Sequence, residues 1–115
     1  YIRWRDADAD GLIHCITCST HKHVKQMQCG HLFSRRHYAT RWHEKNCAGQ
    51  CYGCNIGDQG RQWVMAKEID KKHGEGTAEK MHQRSQDSRK YTNEELIQLT
   101  KYYKQKADDM QGKHS

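Results

Sequence analysis

Two pairs of cysteines, each with a two-residue spacing, constrain the fold of this 115-residue chain more than any other feature. The first pair is Cys15 and Cys18, and the second is Cys51 and Cys54. Four thiolates in two such pairs are the ligand set that a tetrahedral structural zinc ion requires. The pairs lie farther apart than the roughly 15–20 residues of a simple two-pair zinc site. We therefore expect one zinc ion to close a long insert, residues 19–50.

The composition shows why such a chain would use a metal. Hydrophobic residues make up 34% of the chain, charged residues make up 30%, and the mean hydropathy is −1.22. A chain of this length buries only about 60–70% of the surface that its unfolded form exposes. Ordering the backbone costs roughly 1–2 kcal/mol per residue. Zinc contributes about 10–16 kcal/mol to small finger peptides, so we expect it to supply stability that this small core lacks.

The net charge and the spacing of the cysteines indicate which kind of binding partner and which cellular compartment to expect. The net charge of +6 and the pI of about 9.1 favour a nucleic-acid partner. The spacing of the cysteines favours metal binding over disulfides, which indicates a reducing, cytoplasmic setting. The sequence contains neither an apolar signal segment nor the roughly 20 apolar residues of a membrane span. We therefore expect no membrane partner.

Local patterns place short strands in the first half and helices in the second half. Alternation predicts strands at 1–5, 12–16, 24–28 and 47–50, with a polar hairpin tip at 21–23 and a break at 58–60. Amphipathic periodicity predicts helices at about 61–73, 78–86 and 93–110. We thus expect an α+β fold in which residues 1–60 form a zinc-bound core and residues 61–115 form a helical C-terminal extension packed on or beside it.

The third predicted helix carries both a capping signal and an apolar stripe. Thr92 and Glu95 have the spacing of a capping box, in which each side chain accepts a backbone hydrogen bond from the other residue. The stripe is interpreted as a packing surface, with a dimer interface as the alternative. It consists of Leu96, Ile97, Leu99, Tyr102, Tyr103 and Met110.

Residues 34–43 combine arginines, histidines and aromatic residues. Arginine guanidinium groups match phosphate oxygens in bidentate geometry, and aromatic rings stack on unpaired bases. We interpret Arg35, Arg36 and Arg41 as DNA-binding residues that contact phosphates beside the site.

Several polar residues near the cysteines point to chemistry beyond structural zinc. If the second pair opens a helix, Asn55 is turned about 100° from Cys54 and faces the segment after Cys29. An amide oxygen suits magnesium or manganese. His31 could act as a general base or as a metal ligand, and Asn46 could orient its imidazole.

The two remaining cysteines, Cys29 and Cys47, are interpreted as buried thiols. A rival grouping joins Cys47 to the second pair, with Cys29 completing the set.

These motifs resemble a known family of nucleases. The two cysteine pairs together with Gly30-His31, Asn46 and Asn55 resemble HNH, or ββα-metal, nucleases that carry zinc-binding cysteine pairs. More narrowly, three segments are similar to the NinG/Rap phage recombination endonucleases, closely over residues 1 to about 60 and more loosely through the helical tail. These segments are 1–6, 29–37 and 50–55.

The resemblance implies a small, zinc-stabilised ββα-metal (HNH-like) core and a divalent-metal-dependent endonuclease. Its expected cofactors are structural zinc and catalytic magnesium or manganese. Its expected substrate is branched recombination DNA, such as D-loops and Holliday junctions. Host or phage recombination proteins are expected as further partners, and the nuclease could be a monomer or a homodimer.

Within that family pattern, His31 takes the place of the first HNH histidine, Asn46 the central asparagine, and Asn55 the metal ligand. Many HNH enzymes have an acidic ligand just before the base, where this chain has Gly30. Either His31 is itself the second metal ligand and His37 or His43 is the base, or the second ligand comes from elsewhere in the chain. An alternative function is a non-catalytic zinc module that binds branched or single-stranded nucleic acid, and a zinc-based protein adaptor is a third.

Overall fold

A computed structural model describes residues 1–57, 61–88 and 90–112. Within these ranges the chain forms five α-helices and four short strands. In chain order they are α1 (Ile2–Arg5), β1 (Leu12–His14), β2 (His21–His23), β3 (Gln28–His31), α2 (Tyr38–Arg41), β4 (Cys47–Gln50), α3 (Gln62–His73), α4 (Thr77–Ser85) and α5 (Asn93–Gly112). Two 3₁₀ turns, Val24–Gln26 and Glu44–Asn46, and a π-turn, Gly53–Gly57, complete the fold. The break expected at 58–60 lies outside the described residues.

Strands β1 and β2 form an antiparallel hairpin whose connecting loop carries the first cysteine pair. Ile13 lies opposite Lys22, and His14 lies opposite His21, with the two imidazole centroids 4.9 Å apart. The prediction that 21–23 is the tip of a hairpin is wrong, because these residues form the second strand. Their side chains are all exposed, which is why the segment looks like a turn in sequence.

Strands β3 and β4 form a second antiparallel pair, in which Gly30 lies opposite Ala48 and His31 lies opposite Cys47. Gly30 is required here because a Cβ atom at this position would collide with the side-chain oxygen of Gln50. The predicted strand at 47–50 is confirmed. The two pairs remain separate two-stranded sheets.

The segment predicted as a strand at 24–28 is instead a 3₁₀ turn followed by the start of β3. Val24 and Met27 are both buried. Residues three apart share one face of a 3₁₀ turn, so this turn directs both side chains into the core.

The N-terminal segment is a short helix, and the prediction of a strand at 1–5 is wrong. Its position is set by long-range hydrogen bonds rather than by a strand partner. The Arg5 guanidinium donates to the carbonyl of Glu44 at 2.7 Å and to that of Cys47 at 2.8 Å. The Asp6 carboxylate accepts a hydrogen bond of 2.8 Å from the Gly49 amide.

The core consists of two adjacent hydrophobic clusters. The first packs around the cysteine pairs and contains Ile13, Cys15, Val24, Met27 and Cys54. The second joins β4 to helices α3 and α4 through Leu32, Ala48, Met65, Ile69 and Met81. Helices α3 and α4 therefore pack on the strand region through this second cluster.

Helix α5 lies at the periphery and buries none of its residues completely. It contacts the rest of the chain through Tyr103, whose hydroxyl donates to the Trp42 carbonyl at 3.2 Å, and through a 2.8 Å ion pair between Lys106 and Glu44. The apolar stripe that was expected to pack is only half covered, since Ile97 and Tyr102 are 53% and 54% exposed.

The three helices predicted in the second half are confirmed within two residues at each end. The capping box is confirmed as well: Glu95 N donates to the Thr92 hydroxyl at 3.1 Å, and Thr92 N donates to the Glu95 carboxylate at 3.2 Å. Among the described residues, no helix combines the length and the apolar character needed to cross a bilayer.

Candidate metal centre and basic cleft

The two cysteine pairs converge on one point, as the sequence predicts. The sulfur atoms of Cys15, Cys18, Cys51 and Cys54 all lie within 4.8 Å of one another. This four-cysteine group could hold a tetrahedral zinc ion. It joins the loop of the β1–β2 hairpin to the turn after β4, and it lies against the first hydrophobic cluster.

Backbone amides favour thiolates in this group. The Thr20 amide donates to Cys18 Sγ at 3.5 Å, and the Cys51 amide donates to Cys15 Sγ at 3.3 Å. Hydrogen bonds from Thr20 lower the pKa of Cys18 to about 6. Thiolates are the form that binds zinc, so Cys18 is the thiol of this group that ionises most readily, whereas burial raises the pKa of Cys51 to about 12.

A basic cleft of about 970 Å³ opens beside β3. Its walls come from α1, β3, the loop after β3, the π-turn and α5. Four arginines line it, Arg3, Arg35, Arg36 and Arg41, against one carboxylate, Glu44, which is paired with Lys106. A cleft with this charge attracts anions such as phosphates. The three arginines that the sequence singled out all line it.

His31 lies on the wall of this cleft with its tautomer fixed by a hydrogen bond. Its Nε2 lies 3.1 Å from the carbonyl oxygen of Arg41. A carbonyl can only accept, so Nε2 carries the proton and Nδ1 carries the lone pair. Burial lowers the pKa of His31, and the nearby charges of Arg35 and Arg41 lower it further, against a partial offset from that hydrogen bond. A hydrogen bond with the Cys29 backbone opposes the shift as well, but the net direction favours the neutral ring.

The other two candidate bases are placed differently. His43 also lines the cleft, but its Nδ1 accepts a hydrogen bond of 3.2 Å from the Lys45 amide. A neutral His43 therefore has its lone pair already engaged. His37 precedes α2 and does not belong to the cleft lining. Of the three histidines, His31 alone combines a cleft position with a ring nitrogen held by a neighbouring backbone carbonyl.

Asn46 is completely buried and supports the loop after β3. Its side-chain oxygen accepts from the Phe33 amide at 3.0 Å, and its amide group donates to the carbonyls of Phe33 and Thr40, each at 3.1 Å. These contacts correct the expectation that Asn46 orients the imidazole of His31 directly. It fixes the backbone on both sides of the arginine-rich loop instead.

Asn55 follows Cys54 within the π-turn, and the two neighbours face different sites. Cys54 is buried in the four-cysteine group, whereas Asn55 is half-buried and lines the same cleft as His31. The turn is held by a 2.9 Å hydrogen bond from Asn55 N to the Cys51 carbonyl. The sequence predicted this division from the angular offset of consecutive residues in a helical turn.

The remaining cysteines belong to a second group, which sequence reasoning did not identify. Cys29, His31 and Cys47 each place one potential ligand atom within 4.8 Å of the others. These residues come together through the register of β3 and β4, which no local sequence pattern reveals. A hydrogen bond from Cys47 lowers the pKa of Cys29, and the same bond, together with burial, raises the pKa of Cys47.

The Asp6 carboxylate is a second feature that sequence reasoning missed. It is almost completely buried and forms ion pairs with Arg5, at 2.8 Å, and with Lys72. Burial by itself would raise the pKa of Asp6, but the hydrogen bonds from Arg5 and Lys72 outweigh it, and the pKa is lowered. The residue links α1, β4 and α3, and its role is structural.

Comparison with known proteins identifies one relationship. The family profile described as "Bacteriophage Lambda NinG protein" matches residues 1–113. No curated protein matches the chain, and no solved structure matches it either.

Proposed function

Because the chain belongs to the bacteriophage lambda NinG family, we propose that it is a divalent-metal-dependent endonuclease that cuts branched recombination DNA. The observation that carries this proposal is the position of His31, whose imidazole is held by the Arg41 carbonyl in an arginine-lined cleft. The resemblance of its motifs to HNH nucleases supports the reaction type, and D-loops and Holliday junctions are the proposed substrates.

His31 is the general base in this proposal. Its Nδ1 takes a proton from the water that attacks the phosphodiester, and Nε2 keeps its proton. The Arg41 carbonyl, 3.1 Å from Nε2, holds the ring and stabilises the imidazolium that forms. A pKa below the usual value of about 6.5 keeps the ring in the neutral, accepting form at physiological pH.

Asn55 is the proposed protein ligand of a catalytic magnesium or manganese ion. The cleft fits such an ion because Asn55 offers an amide oxygen there, and magnesium commonly completes its coordination with substrate phosphates and water. When bound, the metal would polarise the scissile phosphate and stabilise the leaving oxygen.

The arginines hold the flanking phosphates. Arg35 and Arg36 are exposed on the cleft rim, and the Arg41 guanidinium lies 4.8 Å from the centroid of the Trp42 ring. This contact fixes the direction of one charge and leaves an aromatic surface beside it. Phosphate contacts of this kind position DNA without reading its sequence.

The order of elements around the cleft supports an HNH-like site. Two antiparallel strands, β3 and β4, are joined by the loop that Asn46 braces, and a π-turn and helix α3 follow. This order places the proposed base on the first strand and the proposed metal ligand after the second.

The direct test is cleavage of a synthetic four-way junction and of a matched linear duplex, with magnesium or manganese. The parent protein should cut the junction, and His31→Ala should lower the rate about 10²–10⁴-fold, the usual contribution of a general base. The matched control is His14→Ala, which removes an exposed histidine of the β1–β2 hairpin. Equal loss in both variants, or unaltered cleavage by His31→Ala, would contradict the assignment.

The acid side of the pH–rate profile gives a second readout. The lowered pKa of His31 predicts that the rate falls only when the pH drops below about 6.5, the unperturbed value. A rate that already falls above that value would assign the base to another group.

A non-catalytic zinc module that binds branched or single-stranded nucleic acid is the second candidate. The observation that favours it is the shortage of carboxylates, since Glu44 is the acid on the cleft wall and is paired with Lys106. Junction binding without cleavage under every metal tried would select this function.

A further inference from the structure

A second potential metal site lies on the face of β3 and β4 that turns toward the basic cleft. The register places His31 directly opposite Cys47, and Cys29 lies two residues from His31 on the same strand. Side chains two residues apart on a strand point to the same face. All three side chains line the cleft, and their ligand atoms lie within 4.8 Å of one another.

The chemistry of these three donors selects the class of metal. Two sulfurs and one imidazole nitrogen suit zinc and related soft or borderline ions, whereas magnesium and manganese prefer oxygen. Sites with three protein ligands leave a fourth position for water or substrate, unlike closed structural sites. Here that position would face the cleft, where the arginines hold phosphates.

The charge balance also favours an ion of this class. The walls of the cleft already carry four arginines against one paired carboxylate. Both cysteines bind metal as thiolates and release their protons to solvent on binding. Two thiolates cancel the charge of a divalent ion, so the site adds no net positive charge to the cleft.

We propose that Cys29, His31 and Cys47 bind a second zinc-class ion in an open, three-ligand site on the wall of the cleft. His31 would use Nδ1, since Nε2 donates to the Arg41 carbonyl. The same nitrogen cannot ligate zinc and accept a proton from water. This consequence rests on the proposed nuclease function: zinc bound at Nδ1 would inhibit cleavage, because His31 could then no longer accept a proton from water.

Cobalt binding tests the site without any need for activity. The folded chain, with zinc in the four-cysteine group, is kept reduced and titrated with Co²⁺ while thiolate-to-cobalt charge-transfer bands are recorded. The parent should take up about one further ion per chain and develop these bands. Cys29→Ser and His31→Asn should lose the added ion or bind it at least about tenfold more weakly.

Two controls separate this site from its surroundings. His43→Ala removes another histidine of the same cleft and should keep the cobalt bands. Because Cys47 is buried, Cys47→Ser could fail to fold, so the half-buried Cys29 carries the test. A parent chain that develops no charge-transfer band, or bands that persist unaltered in Cys29→Ser and His31→Asn, would overturn the proposal.

Zinc inhibition is measured separately, on magnesium-supported junction cleavage. Added zinc should inhibit the parent, and Cys29→Ser should need about tenfold more zinc for the same inhibition. Cobalt bands without any cleavage would support the metal site and contradict the nuclease. Cleavage that zinc does not inhibit, in a chain without cobalt bands, would support the nuclease and overturn the metal site.

Discussion

The chain contains two groups of potential metal ligands, and they differ in closure and in surroundings. Cys15, Cys18, Cys51 and Cys54 offer the four thiols that a tetrahedral zinc ion needs, and they lie against a hydrophobic cluster. The other group, formed by Cys29, His31 and Cys47, has three donors and lines a cleft of arginines. The first arrangement leaves no position for substrate, whereas the second leaves one.

Under the proposed function, this difference would separate the group that stabilises the fold from the group beside the reaction. The second cysteine pair belongs to the closed group, yet the residue that follows it, Asn55, lies on the cleft. A metal in the closed group therefore fixes the turn that positions a cleft residue. Substitutions in the closed group should affect folding first, and substitutions around the open group should affect binding and cleavage first.

The largest effect is expected for Cys51→Ser, which removes one ligand of the closed group. Zinc contributes about 10–16 kcal/mol in small zinc-dependent folds, and whole domains are stable by only about 5–15 kcal/mol. The variant should lose its zinc and its tertiary structure, as measured by metal analysis and circular dichroism. Cys29→Ser is the matched control and should stay folded. A folded Cys51→Ser protein with parental thermal stability would remove the distinction between the groups.

The next effect concerns Asp6, the buried carboxylate that accepts a hydrogen bond from the Gly49 amide of β4. Asp6→Asn leaves Arg5 and Lys72 without their charged partner and should cost about 3–5 kcal/mol at pH 7. Because the folded-state pKa of Asp6 is lowered, its contribution is present above the unfolded value of about 3.9 and is lost as the pH falls through the folded value.

Urea unfolding of the parent and of Asp6→Asn at several pH values checks this prediction. The difference in unfolding free energy should shrink as the pH falls below about 4. Asp8→Asn, on the exposed turn before β1, is the control and should have a small effect. A difference between parent and Asp6→Asn that stays constant down to acid pH would show that the carboxylate charge is not the cause.

A smaller effect is expected for the double variant Arg35→Ala with Arg36→Ala, which removes two arginines from the cleft that the open group lines. Each lost phosphate contact should reduce the slope of log affinity against log salt by about 1. Junction binding should weaken while the unfolding free energy stays the same, because both side chains are exposed. The exposed Lys71 provides the control Lys71→Ala. An unaltered salt slope in the double variant would place the DNA elsewhere.

The smallest effect is expected for Thr92→Ala, which removes the cap of α5. Loss of a capping hydroxyl costs about 0.5–2 kcal/mol. Because α5 buries no residue completely, the loss should appear as faster amide exchange at its first turn, with zinc content unaltered. Thr92→Ser should restore protection. Global unfolding of Thr92→Ala would show that α5 is integral to the core.

Local signals were enough to predict the closed cysteine group, strand β4, the three later helices and the capping box. Each depends on residue spacing over a few positions or on a ligand set with one common geometry. The NinG resemblance, drawn from short motifs, is confirmed by the family match over residues 1–113. The HNH-like identity of the site remains part of the proposal.

Features that depend on long-range pairing could not be predicted. The approach of Cys29 to Cys47 follows from the register of β3 and β4. Helix α1 is positioned by Arg5, whose partners lie about forty residues away. The three hydrogen bonds of Asn46 likewise depend on how the loop after β3 folds around this residue. The sequence therefore indicated Asn46 as a site residue but did not indicate its contacts.

The contacts of Arg5 and Asp6 also have a consequence for the timing of folding. Arg5 bonds to residues 39 and 42 positions later, and Asp6 pairs with a lysine 66 positions later. Loops of that length raise the contact order, which slows the search for the native topology. During synthesis at about 5–20 residues per second, the first turn of the chain waits several seconds for α3 to emerge. Nascent chains should therefore expose the strands that carry the cleft until more than half of the described chain has left the ribosome.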